Sequence, residues 1–363
     1  NNGPAGGAGQ RPEPGNTERT ISTDQALRLP VDASDPNAIT ALTAGVIGAR
    51  PDSAGNGGFN VAGQRATQNN TTLDGVTFGG AGFPQEAVRG TRVITNTFDV
   101  ARGQFSGGQV ASTTRSGTNN LYVGGTYNLR DPNLQWRPDF SGAFGQGTST
   151  NTLSFGVGGP LVRDKAFYFF SGQLRRNLSP LQSLLGADPN ALRLAGANAD
   201  SVTRFLGQVG RLGVNTTVPG IPSNQLNDAY SGIVRLDWNV TDEHTVSLRG
   251  DYGLNTQDAT RIGAFSVPAF GGESRSVNGG VMATITSRLG REIFGGTVIN
   301  EGKVYATATH RTAAPYVQLP AGRVRVTSDL GDGTTGVSTL SFGGNPGLNN
   351  DDQTDYVEAT NEL

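Results

Sequence analysis

From about residue 120 onward, apolar and polar residues alternate with a period of two in one stretch after another. In 233–240, Val234, Leu236, Trp238 and Val240 alternate with Arg235, Asp237 and Asn239. In 245–254, Val246, Leu248, Tyr252 and Leu254 alternate with Ser247, Arg249 and Asp251. In 152–157, Leu153, Phe155 and Val157 alternate with Thr152, Ser154 and Gly156. Side chains of a strand point to opposite faces in turn, so each stretch reads as a strand with one apolar and one polar face. The pattern predicts strands over 121–130, 151–159, 166–176, 229–240, 244–255, 277–289, 298–310 and 353–363.

These segments are long. Ordinary strands peak near 5–6 residues, whereas a tilted strand crossing a bilayer needs about 9–11. Their connections are 20, 6, 52, 3, 21, 8 and 42 residues long. Long and short connections in alternation are the pattern of an outer-membrane barrel, with long outer loops and tight periplasmic turns. Aromatic residues fall toward the strand ends. Phe167-Tyr168-Phe169-Phe170 follows the turn at 160–165, Trp238 precedes the turn at 241–243, and Tyr230 and Tyr252 lie toward the long-loop ends. Such rings suit the headgroup depth of a membrane.

The first third reads differently. Residues 1–19 are Gly, Pro, Asn and charge, the composition of a linker. Asp35 as cap, Pro36 at the first helical position, and Ile39 and Leu42 on one face predict a helix over 34–44. A second short helix is expected from Pro84 until Gly90 stops it. Short strands are expected at 58–63, 70–74, 91–97 and 108–114, so 20–115 is a small mixed α+β unit.

Composition removes most chemistry. Glycine accounts for 54 of 363 residues, cysteine is absent, and there are two histidines. Thiol catalysis and Cys-ligated metals are thereby excluded. With 28 Lys+Arg against 30 Asp+Glu and no basic run, there is no footprint for nucleic acid. Gly331-Asp332-Gly333-Thr334-Thr335-Gly336 matches a dinucleotide fingerprint by letter, but Val337-Ser338-Thr339-Leu340 after it is extended, so it reads as a loop tip. Asp242, Glu243 and His244 fill a three-residue turn, His310 ends a strand, and Asp329 with Asp332 lacks the spacing of a calcium loop. Asp351-Asp352 is a carboxylate pair, but adjacent carboxylates do not flank a bond. No enzyme, cofactor or metal is indicated.

Residues 59–76, FNVAGQRATQNNTTLDGV, resemble the plug of TonB-dependent outer-membrane receptors. The run 92–119, RVITNTFDVARGQFSGGQVASTTRSGTN, is similar to the last plug strands and their hand-over to the barrel. FGVGGPLVRDKAFYFFSGQLRR (155–176) is similar to the second and third barrel strands. In detail the likeness is to the Oar-like branch, with LPVDASDPNAITALTAGV (29–46) as the first plug helix, although Thr43-Ala44-Gly45-Val46 departs from the usual Pro-Gly-Val. The resemblance implies plug motif positions at Asn69, Asn70, Leu73, Asp74, Gly75, Gly103, Gln104, Ser106, Gly107 and Gly108. The residues have their own logic: the glycines permit positive φ and close backbone approach, and the amides and hydroxyls suit a body packed inside a polar lumen.

The expected fold class is mostly β: a small α+β plug domain (20–115) after a linker (1–19), then the antiparallel transmembrane strands of an incomplete barrel (116–363). The family's barrel has about 22 strands, of which about eight are legible, and no TonB box is legible before residue 29. The chain therefore reads as a fragment of a gated outer-membrane transporter, with outer-membrane lipid, the TonB energy-transducing complex and an unidentified substrate as partners. A secreted or surface-exposed adhesive β protein would show fixed-period repeats, and none are found. A soluble glycan-binding sandwich would show aromatic platforms in its loops, and 177–228 has only Phe205. The connection 177–228 is expected to be poorly packed or to carry short helices. The alternation places Val234, Leu236, Val246 and Leu248 toward lipid, and Arg235, Asp237, Ser247 and Arg249 toward the lumen. Leu248→Arg is then expected to cost about 2–4 kcal/mol and Ser247→Arg much less, as measured by urea unfolding of the full-length protein in lipid.

Overall fold

In a computed structural model, the described residues are 18–22, 25, 40–43, 46–49, 58–61, 69–78, 82–94, 108–134, 147–293 and 296–363. The strands in chain order are β1 Glu18–Ser22, β2 Val46–Ala49, β3 Gly58–Val61, β4 Asn70–Leu73, β5 Val76–Thr77, β6 Val88–Ile94, β7 Gln109–Thr114 and β8 Tyr122–Arg130. They continue as β9 Ser149–Val162, β10 Ala166–Pro180, β11 Asn224–Asn239, β12 His244–Thr260, β13 Gly272–Ile293 and β14 Gly296–Pro315. The last are β15 Ala321–Asp329, β16 Thr335–Gly343 and β17 Asn350–Glu362. Two helices, α1 Pro189–Leu194 and α2 Ala199–Arg211, lie between β10 and β11.

Eight strands form one open sheet in the order β17-β14-β13-β12-β11-β10-β9-β8. Every pairing is antiparallel, and strands adjacent in the sheet follow one another in the chain except for the β15–β16 hairpin inserted before β17. All eight expected strands are present, most of them longer than the alternation indicates: β12 and β13 extend to 17 and 22 residues. The residues added to β12, and most of those added to β13, lie toward the long-loop ends. There both faces meet polar surroundings, so the backbone ladder continues after the alternation has stopped.

The two faces separate as the period of two requires. On one face Val234, Leu236 and Leu248 are each more than two-fifths exposed, and Trp238 more than half. Cross-strand partners extend this face in rows. One row runs Trp238, Val246, Ile285; the row at the other border runs Leu174, Tyr230, Leu254, Val277. Trp238 and Tyr230 bound nine residues of one strand, about 26 Å at 3.3 Å per residue, the span a tilted bilayer-crossing strand needs. The next row outward is polar: Arg176, Asp228, Thr256, Arg275.

On the other face Asp237, Ser247, Arg249 and Asp251 are buried. The sequence places them on a wet wall, and the structure differs. The small N-terminal unit covers them, so this part of the wall is dry. Ser247 is 9% exposed and donates to Asp237. An arginine at 247 therefore displaces packed atoms, and the cost is expected to approach that at Leu248.

The small unit has a five-stranded sheet, β1-β6-β7-β4-β5, with β4 parallel to β7, and a separate β2–β3 pair. Strands β1, β2 and β5 were not anticipated. The helix expected from Pro84 to Gly90 is a single 3-10 turn at Gln85–Ala87, because Val88 already belongs to β6. The helix expected over 34–44 falls largely outside the described residues.

The connection 177–228 carries helices, one of the two expectations for it, and they pack into a small core. Asp188 caps α1 ahead of Pro189, and Asn198 caps α2 through the Ser201 amide. The residues 311–352, expected to be a loop, contain the β15–β16 hairpin. Its alternation, Arg323-Val324-Arg325-Val326, was present in the sequence. Val202, Phe205 and Val209 of α2 bury against Leu340, Val267 and Phe270, and Phe205 meets Phe342 edge-on at 5.8 Å. The helix and hairpin thus close one another's apolar faces.

Among the described residues, the outer edges of β8 and β17 carry no strand partner. Open edges with unpaired backbone groups, beside an exposed apolar face, promote association. The 363-residue chain expressed alone is expected to aggregate in detergent-free buffer; a dispersed monomer on size-exclusion chromatography with sharp cooperative unfolding would contradict this.

Candidate functional site

The contact between the small unit and the large sheet begins at Leu73-Asp74-Gly75-Val76. Leu73 pairs with Val76, so Asp74 and Gly75 are a two-residue hairpin turn. Both have positive φ, 54° and 87°, the pattern that makes Asp-Gly a favoured tight turn. Leu73 is fully buried with Phe78, Phe83, Ala87 and Val88 of its own unit and Ile233 of the large sheet. The turn is thereby pressed against the wall, with Asp74 at its tip.

Asp74 meets two arginines. Arg249 donates to the Asp74 carboxylate at 2.8 Å and to the Leu73 carbonyl at 3.0 Å. Arg235 donates to Thr114 Oγ1 at 2.7 Å and lies 3.7 Å from the Asp74 carboxylate. Thr114 donates to Asp74 from both its amide and its hydroxyl at 2.8 Å. Arg235 and Arg249 are direct cross-strand partners. Like charges so placed repel, and Arg249 is only 1% exposed. Carboxylates resolve the conflict: Asp237 sits beside Arg235 at 2.9 Å, Asp251 beside Arg249 at 3.5 Å, and Asp74 enters between the arginines. Arg249 also lies over the Tyr305 ring, 5.3 Å from its centre. Burial opposes ionisation of Asp74, but Arg235, Arg249 and the Thr114 amide outweigh it and hold its carboxyl below the usual carboxylate range.

Further contacts spread the interface across the sheet. Glu86 accepts from Tyr122 and Thr126 of β8, both at 2.8 Å. The Gln85 amide donates to Gln173 of β10 at 3.1 Å, and the Thr77 amide to Glu358 of β17 at 3.0 Å. Downstream of β7, Asn119 bonds both ways with Asp164 in the short turn between β9 and β10. Alongside these hydrogen bonds and ion pairs are two apolar contacts, Leu73 with Ile233 and Val76 with Met282 and Tyr305.

Of the motif residues, Leu73, Asp74 and Gly75 form the contact. Asn69, Asn70 and Gly108 work within the small unit: Asn69 Oδ1 accepts from the Gly108 amide at 2.9 Å, its amide donates to the Phe59 carbonyl, and the Asn70 amide donates to the Gly108 carbonyl at 3.0 Å. Gly108 is needed for close approach, since a Cβ there would lie 2.5 Å from Val61 Cγ2. Gly103, Gln104, Ser106 and Gly107 lie outside the described residues. Sequence reasoning missed Glu86, Thr114 and Gln173. It placed Arg235 and Arg249 on the inner face without giving them a partner. The signal was there: each arginine is followed two positions on by an aspartate on the same face.

The other candidate residues sit as turn and surface groups. His244 pairs with Ser287 at 2.9 Å at a hairpin tip, and His310 with Asp351 at 2.6 Å across two exposed strands. Asp332 lies at the tip of β15–β16, where the Thr334 hydroxyl and amide hold its carboxyl below the usual range. Among the described residues no group of three His, Asp or Glu could hold a metal.

The fold is that of outer-membrane receptors. The chain resembles a mutant of the ferric enterobactin receptor from Pseudomonas aeruginosa at 14% identity and TM-score 0.59, over 90% of this chain and 44% of that one. It resembles the siderophore receptor PirA from Acinetobacter baumannii at 14% identity and TM-score 0.59, over 94% of this chain and 48% of that one. It resembles the outer membrane transporter YddB from Escherichia coli at 13% identity and TM-score 0.54, over 95% of this chain and 44% of that one. The chain therefore spans less than half the length of these structures, and the likeness is one of fold. No protein-family model matches the chain, and no curated protein does.

Asp74→Ala leaves Arg249 buried with its charge poorly compensated, a change that typically costs about 3–5 kcal/mol. The expected result is loss of hydrogen-exchange protection at the Thr114 amide, with the large sheet unaffected. Because the Asp74 carboxyl is depressed, its contribution is complete above the ordinary value of about 3.9 and is lost only as pH falls through the lower folded value. Thr114 protection is therefore expected to be flat from about pH 5 to 8 and to collapse in stronger acid.

Proposed function

We propose that the chain is a segment of a TonB-dependent outer-membrane transporter, in which residues 20–115 form the plug and 116–363 part of the barrel wall. One observation carries this reading. A small folded unit is fastened by buried polar links to the polar face of a sheet whose opposite face is an apolar band of membrane-spanning width. A closure that must open needs such links. Water can replace hydrogen bonds and ion pairs one by one, whereas an apolar interface resists separation in proportion to its buried area.

On this reading Asp74, at the tip of a tight turn, is the latch that holds the plug against β11 and β12. Arg115 to Asn120 is the strap through which the plug continues into the wall. Force from the inner-membrane TonB complex, applied to the plug, frees the passage and admits a solute bound from outside. Transport makes and breaks no bond in the cargo, in keeping with an inner face that carries hydroxyls, amides and paired charges. Placement in the Oar-like branch rests on the sequence motifs, GQFSGG followed by TRSGTN above all.

The full-length protein is expected to fractionate with the outer membrane and to need detergent for extraction. In planar bilayers with potassium chloride, the intact protein is expected to be electrically silent, and a variant lacking 20–115 to conduct. Intact protein in the soluble periplasmic fraction, or equal conductance of the two forms, would overturn the proposal.

A further inference from the structure

We propose that the outer face of the large sheet carries a groove for one acyl chain of a membrane lipid with an anionic, phosphate-bearing headgroup. The inference rests on the bilayer-facing reading of that face given above. The apolar band is not evenly covered by side chains. Gly172 and Gly232 are direct partners in neighbouring strands, and Gly250 lies one row away on β12. A Cβ at Gly232 would meet only the Ser171 carbonyl at 3.7 Å, and one at Gly250 only Val234 Cγ1 at 3.6 Å. Above these two glycines the surface is bare backbone.

Rings stand around the bare patch. The Phe155 ring lies over Gly172, where an added Cβ would be 2.6 Å from it, and packs on Phe170 at 5.8 Å between centroids. Tyr230 and Tyr252 flank the glycines on the other side, both partly exposed. The depression they enclose has a volume of about 580 Å³, within the range of about 300–1,000 Å³ typical of small-molecule sites. No charged side chain enters it. Asp251 and Gln173 border it through their main chain, since their side chains bond Arg249 and Ser154 on the opposite face.

Position selects the occupant. The groove lies between the Trp238 row and the polar row at Arg176, in the half of the band nearer the long loops. At that depth the surrounding medium is hydrocarbon, so what fills an apolar depression is hydrocarbon. Helices and strands in lipid gain nothing from hiding apolar surface; the gain is packing against atoms that would otherwise have none. Charge then selects the head. In the first polar row above the groove, Arg176 is held by Asp228 at 2.7 Å, while Arg275 is exposed opposite Thr256 and forms no ion pair among the described residues. An arginine fork at headgroup depth suits a phosphate.

The test uses the full-length protein in mild detergent, equilibrated with phosphatidylglycerol or with phosphatidylcholine of the same chain length, and counts retained lipid by native mass spectrometry. The wild type is expected to retain one phosphatidylglycerol. Gly232→Leu, which fills the floor, and Val281→Phe, which fills from the exposed rim, are each expected to lower retention about tenfold. Arg275→Gln is expected to keep lipid but lose the preference for phosphatidylglycerol. Equal retention by the wild type and both filled variants overturns the groove, and an unchanged preference in Arg275→Gln overturns the headgroup assignment. In a full-length background in which Trp136 and every tryptophan outside this chain are replaced by Phe, Trp238 is the single tryptophan. Quenching of Trp238 by brominated acyl chains in reconstituted vesicles, with equal retention, refutes the groove alone. Absence of quenching refutes the bilayer-facing reading, and the groove with it.

Discussion

Register is the constraint on which the large sheet depends. Each strand has two unlike faces, and a slip of one residue exchanges them. Were β12 to slip by one position against β11, Arg249 would lose its place opposite Arg235, and Leu248 would turn toward Asp74. The outer band and the inner charge cluster would fail together. Antiparallel pairing from β8 to β14, with short turns at one end, fixes the register strand by strand. The turn at Arg163-Asp164-Lys165 is held further by Asn119 and Asn239, which bond its side chain and main chain from two sides.

Within that frame the inner cluster is a problem with a built-in solution. Two arginines directly opposite each other repel, and burial removes the water that would screen them. The aspartates two positions along their own strands relieve part of this. Asp74, arriving from another part of the chain, relieves more. The wall's two arginines are balanced by its two aspartates, but Arg249 stands 3.5 Å from Asp251, and the small unit gives it a closer partner, Asp74, at 2.8 Å. An interface of this kind specifies where the small unit docks more sharply than an apolar patch would, because a carboxylate displaced by a few ångströms leaves the buried Arg249 with only its longer contact to Asp251.

The far end of the sheet follows a different principle. There β12, β13 and β14 outrun the apolar band, and the connections fold back as α1, α2 and the β15–β16 hairpin. Neither the amphipathic helix nor a two-stranded hairpin is stable alone. Together they bury Phe205, Val209 and Leu340 and form a small core outside the band. A long connection in this chain is thus a folded structure, with its own caps at Asp188 and Asn198.

The sequence by itself determined which face each residue of the eight long strands takes, because side-chain direction in a strand is a local property with a period of two. The Asp-Gly turn is also a local demand, positive φ at two successive positions, although 70–74 reads as one strand from the sequence. Tertiary structure decided what each face meets. Asp74 and Arg249 are 175 positions apart, and no periodicity relates them. The inner wall reads as wet from the sequence, yet Ser247 and Arg249 are dry because a separate unit lies on them. The hairpin within 321–343 alternates as plainly as the long strands, but its partner, α2, is more than a hundred residues earlier. A glycine can be seen in the sequence at 172, 232 and 250, but only the pairing of three strands sets these gaps side by side. Periodicity records the direction of a side chain; contact between distant side chains exists only once the strands have been brought into register.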